Sequence, residues 1–404
     1  MKKKLLSLVL SGTLVAGLLA GCGGGSAPSS APSGGGAASG GEKVVTIGVF
    51  EPASGDNGAG GKQEVLGMKY ANDVQPTVEI GGETYKVNLK IVDNQSSNDK
   101  AATAAAELVN AGASVVLGSY GSSVSIAGSD TFKNAGIPVI GVTCTNPQVT
   151  EGNTHYFRIC FLDPFQGTVL ANFGLDNFNA KTAYTLNKQG DDYSGGLCYY
   201  FKEAFEAKGG KVVAAEFPEG TSDFASYVTA AKNAGADVFF APISIEAAAL
   251  LIDAASAQGL DIPFLASDTW DSNVVTAAAQ GKDLDIYVTT FYQEGGDPDF
   301  DKGFKEWLNA DSNHLAENNG NDMIAAVSVM GYDAYFVALE ALKNAGSTDS
   351  VKVNEALWDT TYDGVSGAIA FESTNGDAIR DTAYVKQVNT ETGDWNFVAA
   401  QGVN

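Results

Sequence analysis

Short apolar segments alternate with helical segments along most of the chain, and this alternation limits the fold more than any other feature. Val44–Phe50 (VVTIGVF) has the composition of a buried strand, and a regular alternation runs from Thr182 to Phe291. Strands and helices in regular succession are typical of parallel sheets that are flanked by helices. We therefore predict an α/β fold.

The number of lobes follows from the way in which this alternation stops and restarts. The chain has 404 residues, enough for two domains with complete cores. One α/β unit is followed by a second, and further helices and strands then return near the carboxyl terminus. We predict two lobes joined by three crossings near Leu162, Thr290 and Gly367–Phe371. Lobe 1 would hold 43–162 and 291–367, and lobe 2 would hold 163–290 and 368–404.

Some local elements can be predicted with their limits. Glu79–Val92 has Gly81 and Gly82 at its centre, a composition typical of a hairpin. The glycine-rich loop Glu51–Gly61 should precede a helix over Lys62–Val74. The polar segment Asp311–Asn321 should be a mobile connection between two helices.

The amino-terminal residues have the parts of a secretory signal. Met1–Lys4 is basic, Leu5–Ala20 is apolar, and small residues precede Cys22. The apolar run is shorter than the ~20 residues that a transmembrane helix needs. We predict a signal peptide over 1–21 and a flexible tether, rich in Gly, Ser and Pro, over 22–42. The ending Leu-Ala-Gly-Cys resembles the bacterial lipobox, which implies that Cys22 is lipidated.

Charge and cysteine content exclude some classes of protein. The formal net charge of −24 argues against nucleic-acid binding, because nucleic acids select basic surfaces. Cys144, Cys160 and Cys198 match no zinc-binding spacing. We interpret all three as buried small residues, although a disulfide between any two of them stays open.

Few residues are available for catalysis. The two histidines, His155 and His314, have no nucleophile or acid pattern near them. The acidic pairs Asp191–Asp192 and Asp268/Asp271 could do acid–base work, but such pairs more often lie in solvated loops or bind a cationic group. We predict that the protein is not an enzyme and uses no metal or cofactor.

Two hydroxyl-rich loops follow neighbouring predicted strands. Gly118–Ser123 follows the strand Val115–Leu117, and Thr143–Asn146 follows the strand Ile137–Val142. Parallel sheets bind ligands at the carboxyl ends of their strands. Ser122 and Ser123 also stand at the start of the predicted helix Val124–Asn134, where unpaired N–H groups favour a carboxylate. The alternative is an ordinary helix cap beside an ordinary turn.

The second α/β unit provides groups that complement these loops. Asp268, in ASDTWDS, follows the strand Ile262–Ala266, and Tyr193, in GDDYSGGL, follows another strand. If the lobes face each other, the hydroxyls and helix N-terminus suit a carboxylate, and the aspartate suits an ammonium group. The sequence therefore favours a small zwitterion. The alternative for Asp268 is a helix cap.

These motifs, taken in order, resemble the branched-chain amino-acid binding proteins of ABC importers. The resemblance covers nearly all of the chain from Val44 onward and rests on the following segments: TIGVFEPASG, the helix with Glu64 and Gly67, VVLGSYGSS, DTFKNAGIPVI, TNPQVT, FRICFLDPFQG, DYSGGL and SDTWDS. It implies the type I periplasmic-binding-protein fold, in which two α/β lobes joined by a three-segment hinge close on a ligand.

The resemblance also implies roles for individual residues. Ser122 would bind the carboxylate of the solute, Asp268 would replace a glutamate as partner of the ammonium group, and Thr145 would touch both groups. The rest of the implied site comprises a backbone carbonyl at Thr143, a pocket tyrosine at Tyr193, side-chain-pocket positions at Tyr120 and Gly121, and the loop neighbours Ser123 and Cys144.

The sequence departs from this family in the side-chain pocket. One pocket tyrosine is replaced by Gly60, and a second by Ile243 or Ser244. A disulfide found in some members is absent, because its positions are Ser96 and Gly121. Residues that could refill the pocket are Trp270, Tyr292 and Tyr332, although each could equally lie in the core or on the surface.

The implied function is solute capture outside the cytoplasm. The resemblance implies a monomeric lipoprotein, anchored at the outer face of the bacterial membrane, that delivers an amino acid to an ABC permease and its ATPase. The amino acid would be branched-chain or related. The alternative is a ligand-sensing module for another small solute that serves a receptor.

Overall fold

The structure is a computed structural model, and it describes residues 42–403. The predicted signal peptide, Cys22 and the tether up to residue 41 lie outside the described residues. No helix in the described part of the chain combines the length and the apolar character that a membrane crossing requires.

Strands form two large sheets and one short hairpin in residues 42–403. In chain order they are β1 (Val44–Glu51), β2 (Thr77–Ile80), β3 (Glu83–Asp93), β4 (Val115–Leu117), β5 (Val139–Gly141), β6 (Tyr156–Arg158), β7 (Thr182–Lys188), β8 (Lys211–Phe217), β9 (Val238–Phe240), β10 (Phe264–Ala266), β11 (Ile286–Thr290), β12 (Thr361–Gly364), β13 (Gly367–Ala370), β14 (Ala383–Asn389) and β15 (Asp394–Gln401).

Helices cover both faces of the sheets. In chain order they are α1 (Gly58–Val74), α2 (Asn98–Asn110), α3 (Ser122–Ala135), α4 (Asp163–Phe178), α5 (Asp192–Ala207), α6 (Ala225–Asn233), α7 (Ile245–Ala257), α8 (Asn273–Ala279), α9 (Pro298–Ala310), α10 (Ser312–Glu317), α11 (Ala326–Ala345) and α12 (Ser350–Leu357).

The first sheet has the order β2-β3-β1-β4-β5-β6, and the second has the order β15-β14-β11-β10-β9-β7-β8. Neighbours in the first sheet run parallel except for the hairpin β2–β3. In the second sheet β14 pairs antiparallel with both β11 and β15, and the other neighbours run parallel. We call the first sheet with α1–α3, α9–α12 and the β12–β13 hairpin lobe 1. The second sheet with α4–α8 is lobe 2.

Each lobe has its own apolar core. Residues of β1, α1 and α11 share one core in lobe 1, and residues of β9, α7 and β11 share one in lobe 2. The predicted two-lobed α/β fold is thus confirmed by the architecture, because strands that are buried on both faces need helices on both sides.

Two glycines let α1 and α11 approach closely. A Cβ at Gly67 would lie 1.8 Å from the carbonyl oxygen of Ser328, and a Cβ at Gly331 would lie 2.2 Å from that of Glu64. Any side chain at these positions would push the helices apart. This contact therefore packs the middle of α1 directly against α11 within lobe 1.

Three boundaries of the predicted elements change. α1 begins at Gly58 rather than Lys62, because the glycines of its first turns are packed inside the protein. α3 begins at Ser122 rather than Val124. The segment Asp311–Asn321 is not simply a mobile connection, since it contains α10 and the fully buried Asn318.

The chain passes between the sheets after β6, after β11 and before β14. β13 pairs with β12, and Phe371 lies in the core of lobe 1. The lobe boundaries stay a prediction, but these contacts move the third boundary that we propose from 367 to the segment 371–382.

Candidate ligand-binding site

A cavity of about 390 Å³ lies between the lobes, at the carboxyl ends of strands from both sheets. The predicted site residues that line it are Tyr120, Gly121, Ser122 and Ser123 after β4, Thr143 after β5, Tyr193 after β7, and Asp268 after β10. These residues lie close together because the loops at the carboxyl ends of neighbouring parallel strands are at the same edge of a sheet. The structure thus brings seven predicted residues together.

Asp268 lines the cavity from lobe 2, and hydrogen bonds within the protein hold its carboxylate in place. Its Oδ1 accepts hydrogen bonds from Gln166 Nε2 at 2.8 Å and from the Tyr193 hydroxyl at 2.8 Å. The Thr269 hydroxyl donates to the Tyr193 hydroxyl at 2.7 Å. Oδ2 accepts no hydrogen bond from residues 42–403. Burial raises the pKa of Asp268 to about 6, and a cationic group in the cavity would reverse that effect.

Ser122 lines the cavity from lobe 1, as the first residue of α3. Its Oγ accepts a hydrogen bond from the Asn146 N–H at 3.2 Å, which ties the two hydroxyl-rich loops together. The first turn of a helix leaves N–H groups unpaired and carries a partial positive charge. This end of the cavity therefore favours a carboxylate.

Ser123 makes a contact between the lobes. Its hydroxyl donates to Asp191 Oδ1 at 3.0 Å and accepts from the Asp192 N–H at 2.9 Å. Both partners belong to the start of α5. Ser123 thus lines the cavity and at the same time joins the two helix N-termini.

A buried pair of carboxyl groups lies behind Thr143. The Thr143 hydroxyl donates to Glu64 Oε1, and the Tyr120 N–H donates to Glu51 Oε2 at 2.7 Å. The remaining oxygens, Glu51 Oε1 and Glu64 Oε2, have no hydrogen-bond donor among residues 42–403. Burial raises the pKa of Glu64 to about 7, and burial beside Glu64 raises the pKa of Glu51. Two adjacent carboxyl groups in such a place share a proton.

Sequence reasoning did not identify this pair. Glu64 served only as a motif position, and Glu51 only as the start of a loop. A signal was present, because Glu51 is an acidic residue at the end of the strand VVTIGVFE, whose last five residues are buried. A charge at the carboxyl end of a buried strand is a candidate site residue.

Thr145 and Cys144 do not line the cavity, contrary to prediction. Both are fully buried. The Thr145 hydroxyl and both carboxylate oxygens of Asp163 lack hydrogen-bond partners of good geometry within the described residues. Burial raises the pKa of Asp163 to about 8, so this carboxyl group holds a proton at neutral pH.

The four positions predicted to reshape the side-chain pocket lie elsewhere. Trp270 is buried in the core of lobe 2 and donates from Nε1 to the carbonyl oxygen of Ile243 at 3.1 Å. Tyr292 lies in the core of lobe 1, and Tyr332 stacks on Tyr70 with ring centroids 5.5 Å apart. Gly60 is covered by Tyr120. Of the alternatives that the sequence left open, a core position holds for Trp270 and Tyr292, and none of the three aromatic residues lines this cavity.

Arg158 holds the second hydroxyl-rich loop in place. Its guanidinium is fully buried and pairs with Asp377 at 2.6 Å. It also donates to the carbonyl oxygens of Cys144, at 2.9 Å, and Asn146. This one side chain thus satisfies carbonyl groups that a tight polar loop would otherwise leave unpaired.

The cysteines behave as predicted. Cys144, Cys160 and Cys198 are buried, and none forms a disulfide in the part of the chain that the structure describes. In the same residues no group of three or more His, Cys, Asp and Glu side chains is placed to hold a metal ion.

This fold and site define a class of protein. Two α/β lobes face one polar cavity, with hydroxyls and a helix N-terminus on one side and an acid on the other. Such an arrangement is that of a two-lobed solute-binding protein. Residues 44–394 match the family described as periplasmic binding protein, so the match spans most of the chain. The chain belongs to the periplasmic binding protein family.

Individual relatives agree with this assignment. The chain is 28% identical over 359 residues to the Leu/Ile/Val-binding protein homolog 1 of Brucella abortus (strain 2308), covering 88% of this chain and 93% of that protein. The leucine-binding protein LivK of Thermotoga maritima has a TM-score of 0.78 at 30% identity, covering 89% and 99%. A solute-binding protein of R. palustris in complex with benzoate has a TM-score of 0.75 at 18% identity, covering 89% and 96%, which shows a shared fold.

These likenesses confirm the predicted resemblance to branched-chain amino-acid binding proteins of the type I periplasmic-binding-protein fold. They identify a substrate-binding protein of the ABC-transporter type that acts outside the cytoplasm, and not an enzyme. The solutes named for similar proteins differ in chemistry, since one is an amino acid and another is benzoate.

Proposed function

We propose that the protein captures an amino acid between its lobes and delivers it to an ABC permease. The observation that carries this proposal is the placement of Asp268 and of the Ser122 helix N-terminus in one cavity. A carboxylate and a helix N-terminus on opposite sides of a cavity complement the ammonium and carboxylate groups of a zwitterion. Benzoate has no ammonium group and would leave Asp268 without a cationic partner.

Binding would favour the closed arrangement of the lobes. Ser122 and Thr143 come from lobe 1, whereas Tyr193 and Asp268 come from lobe 2. A solute shifts the equilibrium only through contacts that differ between the open and closed states. Contacts from both lobes to one solute meet this condition.

Substitution at Asp268 tests the proposal. The purified protein is unfolded and refolded to remove any bound solute, and amino acids are then titrated by calorimetry. Asp268→Ala should weaken binding about 30-fold or more, since loss of one partner of a buried charged pair costs about 2–5 kcal/mol. Asp271→Asn is not a suitable control, because Asp271 pairs with the buried Lys386. Asp261→Asn changes an exposed aspartate of lobe 2 outside the cavity lining, and this matched control should bind normally.

Two results of these binding measurements would contradict the proposal. Normal affinity in the Asp268→Ala variant would contradict the assigned role. A ligand at about one hundred times its Kd should also stabilise the wild-type protein by roughly 2.7 kcal/mol, which a thermal shift detects. Stabilisation only by solutes that lack an ammonium group would contradict capture of an amino acid.

We further propose that the mature protein is a monomer anchored by a lipid on Cys22. The basic start, the short apolar run and the Leu-Ala-Gly-Cys ending support this part of the proposal. Cys22→Ser should release the protein from the membrane fraction into the soluble fraction. Unchanged membrane association of this variant would contradict the anchor.

A further inference from the structure

Tyr120 fills the apolar part of the space between the lobes. Its ring is the centre of a small apolar cluster that draws on both lobes. The members are Tyr120, Ile245, Ala325 and Val327, with Ala59 and Val274 packed against them. Ile245 begins α7 in lobe 2, whereas Ala325 and Val327 belong to lobe 1. The apolar surface nearest to the cavity is thus already covered by a side chain of the protein itself.

Several contacts hold this ring in place. A Cβ at Gly60 would come within 2.5 Å of two ring atoms of Tyr120, so the ring lies where a side chain at position 60 would be. The Tyr120 hydroxyl donates to the carbonyl oxygen of Thr269 in lobe 2 at 3.3 Å. Its backbone N–H is fixed by Glu51. Tyr120 is only 7% exposed, which is consistent with a tightly held ring.

The lining that remains is polar and acidic. Among the described lining residues, Val124 is the one aliphatic side chain larger than a methyl group. Hydroxyl groups are contributed by Ser122, Ser123, Thr143, Tyr193, Ser244 and Thr269. Carboxylates are contributed by Asp56, Asp99, Asp191, Glu219 and Asp268, against the single lysine Lys188, whose Nζ lies 2.8 Å from Asp56. The potential in the cavity is therefore negative.

We propose that the captured amino acid has a polar side chain, either neutral or positively charged, and is neither branched aliphatic nor acidic. The inference rests on the proposed function. A branched aliphatic side chain would cover carboxylate groups of the lining without giving them hydrogen bonds, which is unfavourable. An acidic side chain would be repelled by the carboxylates of the lining. A polar or basic side chain can pair with these groups in place of water.

A binding panel tests the inference. Refolded wild-type protein is titrated with serine, asparagine, glutamine, lysine, arginine, leucine, isoleucine, valine and glutamate. At least one polar or basic amino acid should bind about tenfold or more tightly than any branched-chain amino acid or glutamate, since buried polar groups left unpaired reject an apolar side chain strongly. Tightest binding of leucine, isoleucine, valine or glutamate would overturn the inference and leave the proposed function intact.

A pair of variants tests the role of the ring. Tyr120→Ala should bind leucine about tenfold or more tightly than the wild type does. Removal of the ring leaves an apolar space next to Gly60 that the side chain of leucine can fill. Tyr120→Phe keeps the volume and loses only the hydroxyl, so it should keep the wild-type order of affinities. No gain for leucine in a folded Tyr120→Ala variant would overturn the role of the ring. The wild-type panel remains decisive if this variant does not fold.

Failure of the proposed function would give a different binding result from failure of the inference about the side chain. If the refolded wild type binds no amino acid and instead binds solutes without an ammonium group, amino-acid capture is overturned. The inference about the side chain then falls with it. A panel in which branched-chain amino acids bind best overturns the inference alone.

Discussion

Asp268 links affinity to pH at the scale of a single residue. Its buried carboxylate has a pKa of about 6, and only the ionised form can pair with an ammonium group. Gln166 and Tyr193 donate to it, and the protonated form would compete with these donors.

We expect the affinity for an amino acid to fall about tenfold per pH unit below the pKa of Asp268, because binding then has to release one proton. Calorimetry between pH about 4.5 and 8 measures this slope. Asp268→Asn should bind weakly, with a flatter profile. An affinity that is constant across this range in the wild type would contradict an ionised Asp268 in the complex.

The carboxyl groups that stay protonated should make stability depend on pH. Burial raises the pKa of Glu64 to about 7 and that of Asp163 to about 8, far above their values in an unfolded chain. Between the unfolded and folded pKa values the native state binds more protons than the unfolded state, so the free energy of unfolding decreases as pH rises.

We therefore expect the Tm to fall as pH rises from about 4 to about 8. Below the unfolded pKa of these carboxyl groups both states hold the proton, so the groups should not make the Tm depend on pH there. Glu64→Gln keeps the shape and removes the titration, so its Tm should vary less over the same range. Differential scanning calorimetry of both proteins checks this. A Tm that rises steadily up to pH 8, or an unchanged profile in the variant, would be evidence against the protonated pair.

At the scale of elements, Arg158 at the end of β6 supports the loop that follows β5. It pairs with Asp377 and holds two loop carbonyl groups without contact to solvent. Removing one member of a buried ion pair leaves the other uncompensated.

Arg158→Met should lower the free energy of unfolding by about 3–5 kcal/mol, because Asp377 and the loop carbonyl groups lose their donor. Urea denaturation measures the change. Lys302→Met removes a cation whose side chain is 76% exposed, and it should change stability little. Equal effects of the two substitutions would show that the loop does not depend on Arg158.

The contact between α1 and α11 gives a second prediction at this scale. Gly67→Ala should destabilise the protein by about 1–3 kcal/mol, since the added methyl group overlaps the Ser328 carbonyl oxygen. Gly195→Ala in α5 is the matched control, because its Cβ would meet nothing closer than 3.7 Å. This control should be neutral or stabilising by up to about 1 kcal/mol. Urea denaturation measures the free energy of unfolding of both variants. A destabilised control would indicate that a glycine in the helix, rather than close packing between helices, determines the effect of the substitution.

At the scale of the whole molecule, polar contacts hold the lobes together away from the cavity. Asn273 at the start of α8 in lobe 2 accepts a hydrogen bond from Gln63 Nε2 at 3.3 Å and donates to the Asn318 carbonyl oxygen at 2.6 Å. It also donates to Asn321 Oδ1 at 2.8 Å. Since Asn273 is 3% exposed, these contacts are shielded from water.

Asn273→Ala should lower affinity about threefold to thirtyfold by increasing the dissociation rate, because buried hydrogen bonds of the closed state are lost while the cavity stays unchanged. Stopped-flow kinetics measures the rate, and X-ray scattering of the saturated protein measures lobe opening. Lys302→Met removes an exposed cation that lies outside the cavity lining and pairs within α9, so it should leave the dissociation rate unchanged. An unchanged dissociation rate for Asn273→Ala would contradict a role of the Asn273 hydrogen bonds in holding the lobes together.

Much of the fold could be predicted from local pattern. The limits of β4 match the predicted strand Val115–Leu117, since a short apolar run rich in β-branched residues is a clear local signal. The start of α1 could not be predicted, because glycines are poor helix formers and their burial depends on Pro52 and other distant contacts.

The candidate site was predictable to the extent that it follows strand ends. Asp268 and Ser122 could be proposed because each stands directly after a strand that reads as buried. Glu51, Gln166 and Arg158 could not be assigned roles, because their partners are separated from them by up to 219 residues. The place of Trp270 stayed open in the sequence, and packing decided it, since this aromatic residue next to a site residue lies in the core of lobe 2.

The sequence by itself determined the class of fold, the two-lobed plan and the polar ends of the strands, because strand and helix periodicity and strand-end position are local properties. Only the tertiary structure decided what lies within reach of a solute. It placed the Tyr120 ring on Gly60, turned Trp270 and Tyr292 into core residues and buried Glu51 against Glu64. Such outcomes depend on which side chains, distant in the sequence, pack against one another in the folded protein. Close packing of the interior decides this, and local sequence patterns do not contain it.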